Sequence, residues 1–234
     1  MRYSFLCILR IIRTDIPKGR RSRKANRGRV AAGMGEMAAE GKGGHMPANH
    51  QLDRLLAAYC SPTLAGIKPA SLVSCSRAEH PDLPRQLQGY RQAFAARGIC
   101  FDILCACQER YLLLVYHRAQ LAGHMEDKRV QRVLTRFGYP VGAPLETLLD
   151  GLRQRIAAQA GFPHEIGLFL GYPIEDVVGF IRNEGRGCKL CGYWKVYGDA
   201  EAASRLFDRL SRVCSAVKRR VEQGETLLQV FAAA

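Results

Sequence analysis

Two consecutive apolar runs near the middle of the chain constrain its fold more than any other feature. Residues 99–107 (ICFDILCAC) and 110–117 (RYLLLVYH) are separated only by Gln108 and Glu109. Runs of this composition joined by two residues predict a β-hairpin. Because both runs are apolar on both faces, we expect two central strands rather than edge strands.

Apolar residues at helical spacing predict helices on both sides of this hairpin. They occupy residues 51–59, 81–97, 126–137, 144–159, 174–183 and 200–222. Shorter apolar runs predict strands at residues 71–76 (SLVSCS), 166–170 (IGLFL) and 193–197 (YWKVY). The last two strands, with the helix between them, have the length of a βαβ-like unit.

The order of these elements predicts an α/β fold, with an α+β arrangement as the alternative. We expect a mixed sheet of about four or five strands with helices packed against it. The chain is expected to end in the βαβ-like unit and a long C-terminal helix. A single globular domain is predicted to cover residues 46–234.

Positive charge is concentrated at the start of the chain. The net charge is +14, and residues 1–45 contain 11 Lys or Arg but only three Asp or Glu. This segment has no amphipathic period and predicts a basic, disordered extension. The codons of Lys42 to His45 can form a purine-rich ribosome-binding sequence. We therefore hypothesise that Met46 is the true initiator and that residues 1–45 are a leader.

Composition and missing motifs exclude several classes of function. The remainder of the chain is only mildly basic, so an ordinary solvated surface is expected and nucleic-acid binding is not. No apolar stretch is long enough for a membrane-spanning helix, and no membrane association is expected. Phosphate-binding, dinucleotide-binding, zinc-protease and serine-hydrolase motifs are absent from the sequence. The sequence identifies neither a cofactor nor an oligomeric state.

The first candidate site lies in residues 163–180 (PHEIGLFLGYPIEDVVGF). His164 and Glu165 enter the predicted strand, and Tyr172 follows its carboxyl end, where open α/β sheets bind ligands. Asp176 lies in the first turn of the next helix, where an acidic residue disfavours phosphate. The site would therefore suit a cation, an amine or a hydroxyl-rich ligand. In the structural alternative, the histidine begins a strand and the acids only cap a helix.

Two residues of the last predicted strand extend this candidate site. Lys195 and Tyr197 alternate with Trp194 and Val196, so they share one face of the strand. We expect them to line the same cleft as His164 and Tyr172. The alternative is an edge strand with one solvated face.

Cys60 is the candidate nucleophile of this site. It stands immediately before Ser61 and Pro62, at the predicted end of a helix. His164 could act as its base, with Glu165 or Asp176 orienting that base. A helix C-terminus raises the pKa of a thiol, which favours a buried, inert cysteine.

The nine cysteines of the chain include one closely spaced pair. An odd number without a secreted framework predicts a reducing cytoplasm. Cys188 and Cys191 form a CxxC sequence, which is half of a zinc site or a redox pair. Cys105 and Cys107 could supply the other half, or could belong to the core. The CxxC precedes a strand rather than opening a helix, which excludes a thioredoxin-like arrangement.

Four stretches together resemble a known family. PHEIGLFLGYPIEDVVGFI and CGYWKVYGD, preceded by YCSPTLAGIKPASL and LLLVYH, resemble a bacterial family filed as domain of unknown function three-seven-nine-three, found largely in anaerobic Firmicutes. The resemblance spans about residues 52–220. It implies a domain start near Met46 but no activity, and the basic extension departs from the family pattern.

The sequence leaves three functional hypotheses open and does not decide whether the protein is an enzyme. The leading one is a small-ligand-binding or catalytic domain with a polar cleft where the HEIGLFLGYP and WKVYGD stretches meet. The second is a metal or iron–sulfur protein that uses Cys188 and Cys191. The third is a non-catalytic interaction module in which exposed Tyr172, Trp194 and Tyr197 form a partner surface.

Overall fold

The computed structural model describes residues 48–158 and 162–232, and the predicted leader and Met46 lie outside this range. The predicted mixture of helices and sheet, with a long C-terminal helix, is confirmed. The helices are α1 (Ala48–Tyr59), α2 (Ser61–Leu64), α3 (Leu83–Phe94), α4 (Arg118–Glu126), α5 (Lys128–Arg136), α6 (Leu145–Ala158), α7 (Ile166–Phe169), α8 (Ile174–Arg182), α9 (Ala200–Glu222) and α10 (Leu227–Ala232). The strands are β1 (Ala70–Ser76), β2 (Ile99–Ala106), β3 (Arg110–His117), β4 (Leu190–Cys191) and β5 (Lys195–Val196).

The predicted hairpin forms the centre of the molecule. β2 and β3 pair antiparallel, and β1 joins the other side of β3, giving the order β1-β3-β2. The expectation of two central strands is therefore wrong for β2, which lies at an edge. Its two faces are nevertheless covered, since Phe101 packs in a core with α3 and Leu104 packs in a core with α6. An edge strand can therefore be apolar on both faces when helices cover both.

Helices cover both faces of the three-stranded sheet, and each face has its own apolar core. Leu113 and Val115 of β3 face a core built with α1, α3 and α10. Leu114 and Tyr116 face the other core, built with helices α4 to α8 and the β4–β5 hairpin. Helix α9 contributes to both cores, because Phe207 and Leu210 pack in one core and Val217 and Val221 pack in the other.

The segment at residues 166–170 is a helix, so the strand predicted there is wrong. Leu168 N–H bonds to the Glu165 carbonyl at 2.9 Å and Leu170 N–H bonds to the Ile166 carbonyl at 3.0 Å. Gly171, at φ 69°, ends this helix α7. The segment is buried on all sides, and a short run that is apolar on all sides cannot be assigned to strand or helix by periodicity.

The βαβ-like unit predicted at the C-terminal end is also absent. β4 and β5 are two residues long and pair antiparallel with each other, apart from the three-stranded sheet. The five strands of the described residues thus form two antiparallel sheets instead of one mixed sheet. Helix α8 precedes this small hairpin and packs against β5.

The helix predicted at residues 126–137 is shorter than expected and follows a separate helix, α4. Asp127 stands between α4 and α5, and its carboxylate accepts the Arg129 N–H at 2.7 Å. An N-cap of this kind begins a new helix, and so α5 starts at Lys128. None of the helices within residues 48–158 and 162–232 has the length and apolar character needed to cross a bilayer.

Candidate functional site

The two stretches predicted to form the site meet through Asp176, in the first turn of α8. Its carboxylate accepts the Trp194 indole N–H at 2.6 Å, and the Tyr197 and Gly198 backbone N–H groups at 2.7 and 2.8 Å. The side chain is buried, and the N-terminus of α8 adds a favourable dipole. Because three donors already occupy this carboxylate, Asp176 holds the hairpin onto α8 and is not available to a ligand.

Tyr172 and Trp194 form the apolar part of the same contact. Their rings stack with centroids 4.8 Å apart, and Trp194 packs edge-on against Phe207 at 4.6 Å. Both Tyr172 and Trp194 are buried, whereas Tyr197 is partly exposed. The exposed aromatic surface of the interaction hypothesis therefore does not exist at Tyr172 and Trp194.

His164 and Glu165 are adjacent in sequence but lie in different environments. Glu165 is buried and accepts hydrogen bonds from Arg155 Nε at 2.5 Å and from the Tyr139 hydroxyl at 3.3 Å. His164 is exposed, and its ring contacts Phe180 edge-on at 5.1 Å between centroids. Glu165 therefore stabilises the fold through a buried ion pair.

Cys60, the predicted nucleophile, is completely buried between α1 and α2. Burial raises the pKa of its thiol, which holds it in the unreactive protonated form. The ionisable groups that influence it are Cys75, Lys68 and Cys214, and His164 is not among them. The structure thus gives no support to a Cys60–His164 catalytic pair.

Lys68 is the side chain that the sequence interpretation missed. It lies on the turn after α2, where the Ile67 N–H bonds to the Pro62 carbonyl at 2.8 Å. Its ammonium lies 5.0 Å from the centre of the Tyr172 ring. Gly171 permits this approach, because a Cβ there would lie 2.5 Å from Pro69 Cγ. A signal existed in the GIKP sequence, where one lysine stands between a turn glycine and a proline.

The surroundings of Lys68 disfavour its positive charge. Burial lowers the pKa of Lys68 to about 8, although the nearby Cys60 and Cys214 thiols act in the opposite direction. Across the described part of the chain, no Asp or Glu forms an ion pair with this ammonium. The side chain is still partly exposed to solvent. We refer to Lys68, Tyr172, Cys60 and Cys214 as the Lys68 cluster.

Lys195 and Tyr197 lie near the CxxC sequence. Lys195 donates a hydrogen bond to the Gly185 carbonyl at 2.5 Å. The Tyr197 hydroxyl is buried and has no hydrogen-bond partner among the described residues. The Cys188 and Cys191 sulfurs are 2.7 Å apart. These four residues belong to the hairpin region and are distinct from the Lys68 cluster.

The metal hypothesis lacks a full set of ligands. Within the ranges that the structure describes, no group of three or more His, Cys, Asp or Glu side chains could hold a metal ion. Cys105 is part of β2, and Cys107 follows that strand. The two cysteine pairs therefore do not assemble the four-cysteine site considered from the sequence.

The predicted polar cleft also lacks the acidic lining that the sequence suggested. The HEIGLFLGYP and WKVYGD stretches do pack side by side, but Glu165 and Asp176 point inward. A shallow cleft elsewhere is lined by Met125, Leu134 and Leu148, and contains none of the candidate side chains. Lys68, which lies against Tyr172 at this junction, has no polar partner among the described residues.

Comparison with known proteins identifies the family of the chain. The model of the family described as "Protein of unknown function (DUF3793)" matches residues 56–231. The chain therefore belongs to this family. Neither a curated protein nor a solved structure matches the chain.

Proposed function

We propose that this member of the DUF3793 family binds a small anionic molecule through Lys68, at the junction of its two long motif stretches. The observation that carries the proposal is a partly buried ammonium group that lies against the Tyr172 ring and has no carboxylate partner within the described residues. A carboxylate or phosphate of a ligand would supply the missing negative charge.

The energetic argument starts from the cost of burying an unpaired charge. A protein normally pairs a buried ammonium or replaces it with an apolar side chain. The Tyr172 ring offsets only part of this cost, since a cation–π contact contributes about 0.5–2 kcal/mol. A lysine in such a position is therefore best explained by a partner that binds to it.

The structure reverses the ligand charge that the sequence suggested. A cation or an amine was expected because Glu165 and Asp176 were predicted to line the cleft. Inside the protein, the Glu165 carboxylate instead pairs with Arg155, and the Asp176 carboxylate accepts three N–H groups. Lys68, the group left to contact a ligand, is positively charged. We therefore propose an anionic ligand in place of the cationic one expected from the sequence.

Binding is better supported than catalysis. Cys60 is buried as a protonated thiol, and the exposed His164 contacts Phe180 instead of a nucleophile. The Lys68 cluster thus contains a charge, an aromatic ring and two thiols, but no nucleophile–base pair. We propose a binding site without assigning a reaction to it.

We further propose that the protein acts in the reducing cytoplasm of a bacterium and does not bind nucleic acid. Cys60 and Cys214 border Lys68 as free thiols, which a reducing compartment preserves. Lys68 is a single cation beside an aromatic ring. Nucleic-acid binding instead requires a basic stripe that follows a phosphate backbone.

The test compares anion binding by the wild-type chain and by Lys68→Met. Inorganic phosphate, pyruvate and citrate serve as probes, and binding is measured by calorimetry and by the shift in Tm. We expect at least one probe to stabilise the wild type and to lose most of its effect in Lys68→Met. Lys128→Met removes an exposed lysine of α5 and should respond like the wild type. Equal binding by wild type and Lys68→Met, or no binding of any probe by the wild type, would contradict the proposal.

A further inference from the structure

The CxxC sequence forms a second site that the proposed function does not use. Cys188 precedes β4 and Cys191 ends it, so the two thiols lie side by side at the start of the small hairpin. Their sulfurs are 2.7 Å apart, compared with about 2.05 Å in a disulfide bond. Little movement would therefore be needed to join them.

The hairpin geometry explains why these two thiols are adjacent. Cys191 pairs with Lys195 across the hairpin, and the Lys189 N–H bonds to the Val196 carbonyl at 2.8 Å. Gly187, at φ 66°, turns the chain immediately before Cys188. The hairpin pairing and the turn at Gly187 thus bring the two cysteines together.

The two sulfurs differ in exposure to solvent. Cys191 is exposed and Cys188 is partly buried. The hydrogen bond with Cys188 and burial raise the pKa of Cys191, while the positive charge of Lys195 acts against them. The two sulfurs lie 2.7 Å apart, which is close enough for one to attack a mixed disulfide formed on the other.

We propose that Cys188 and Cys191 form a reversible dithiol–disulfide site whose substrates are low-molecular-weight disulfides. The Cys188 thiolate attacks one sulfur of the disulfide RSSR, forms a mixed disulfide and releases RS⁻. Cys191 then loses its proton and attacks the mixed disulfide at Cys188, which releases the second RS⁻. In total the protein loses two protons and two electrons, and RSSR becomes two RSH.

Three other cysteines lack one of the features of this pair. Cys60 and Cys75 are buried, and burial raises the pKa of both thiols. Cys107 is exposed, but its thiol donates to the Arg110 carbonyl at 3.3 Å, with no second sulfur bonded to it. Cys107 therefore provides a matched control for an exposed thiol outside the pair.

The experiment equilibrates the full chain with mixtures of reduced and oxidised glutathione. The thiols are then trapped with acid and iodoacetamide and mapped by mass spectrometry. We expect the wild-type peptide that contains both cysteines to lose two hydrogens and to escape alkylation in oxidising mixtures. Cys191→Ser should instead hold glutathione on Cys188 for at least about ten times longer than the wild type, because it lacks the resolving thiol. Cys107→Ser should behave like the wild type.

Three results would overturn the proposal. Both cysteines could remain fully open to alkylation in every mixture, or both could carry glutathione without any bond between them. A tightly held zinc ion that protects both thiols until it is chelated would assign them to metal binding. Far-UV circular dichroism of each variant shows whether it is folded, and Cys188→Ser provides a second variant if Cys191→Ser is not.

Discussion

The Trp194 indole N–H donates a hydrogen bond of 2.6 Å to the buried Asp176 carboxylate. Trp194 is the only tryptophan of the chain, and this bond ties the hairpin to the first turn of α8. The relationship between the two residues explains why the predicted cleft is closed. Asp176, which was expected to contact a ligand, instead holds the WKVYGD stretch in place.

Replacement of Asp176 by asparagine should destabilise the protein by about 2–4 kcal/mol. The introduced amide would lack the negative charge that strengthens three hydrogen bonds, and its NH₂ group would compete with the donors around it. Urea unfolding followed by Trp194 fluorescence measures this effect. Glu175→Gln changes the exposed neighbour and should stay within about 0.5 kcal/mol of the wild type. An Asp176→Asn midpoint equal to that of Glu175→Gln would show that the carboxylate is dispensable.

The parts of the fold that could be predicted are those in which local pattern and burial agree. The long helix α9 shows a clear period along the sequence, and the β2–β3 hairpin shows two apolar runs joined by two residues. Residues 166–170 show none, because α7 is buried on every side and its apolar residues lack a polar face. Hydrophobic periodicity arises when one face of a segment is buried and the other is exposed to water. A segment that is buried on every side therefore shows no such period.

The candidate site was predicted only in part for a different reason. The contact between the HEIGLFLGYP and WKVYGD stretches joins segments that are near each other in sequence. Lys68 gains its significance from Tyr172 and Cys214, which are distant from it in the chain, and the close packing of Gly171 on Pro69 lies next to the Tyr172 contact. A sequence shows the residue types of such a cluster but not which of them lacks a partner.

Gly171→Ala should destabilise the protein by roughly 2–4 kcal/mol. The residue adopts φ 69°, and the added Cβ would lie 2.5 Å from Pro69 Cγ, so backbone strain and a steric clash act together. Gly138→Ala is the matched control, because Gly138 has φ 80° with nothing within 4 Å of the added Cβ. That control should cost only about 1–2 kcal/mol, which is the backbone strain alone. Thermal unfolding of the two variants measures the difference, and equal Tm values would mean that Pro69 moves aside freely.

The buried ion pair between Arg155 and Glu165 should show strong energetic coupling. Arg155→Met leaves a carboxylate that is 1% exposed without its cation, and we expect a loss of about 3–5 kcal/mol. Adding Glu165→Gln to that variant should recover part of the loss, because the unpaired charge is then gone. Chemical unfolding of the wild type, both single variants and the double variant gives the coupling energy. Additive losses across this cycle would contradict a direct interaction between the two side chains.

Lys68→Met should stabilise the protein, although it removes a native side chain. Folding lowers the pKa of Lys68 from its ordinary 10.5 to about 8. At pH values below 8 both the folded and the unfolded chain carry the proton, and the folded state bears the full cost of the buried charge. Because the ammonium is partly exposed, we expect a gain of roughly 1–3 kcal/mol at about pH 7 from its removal.

The same gain should disappear as the pH rises from about 8 to 10.5. In this interval the unfolded chain binds the proton of Lys68 more than the folded chain does, so the free energy of unfolding of the wild type increases with pH. Lys68→Met lacks this group, and its advantage over the wild type therefore shrinks until both proteins are equally stable. Urea unfolding of both proteins across this interval gives the difference directly, and the other titrating groups cancel between them. A difference that stays constant with pH, or a less stable Lys68→Met, would show that the ammonium is well solvated and needs no anionic partner.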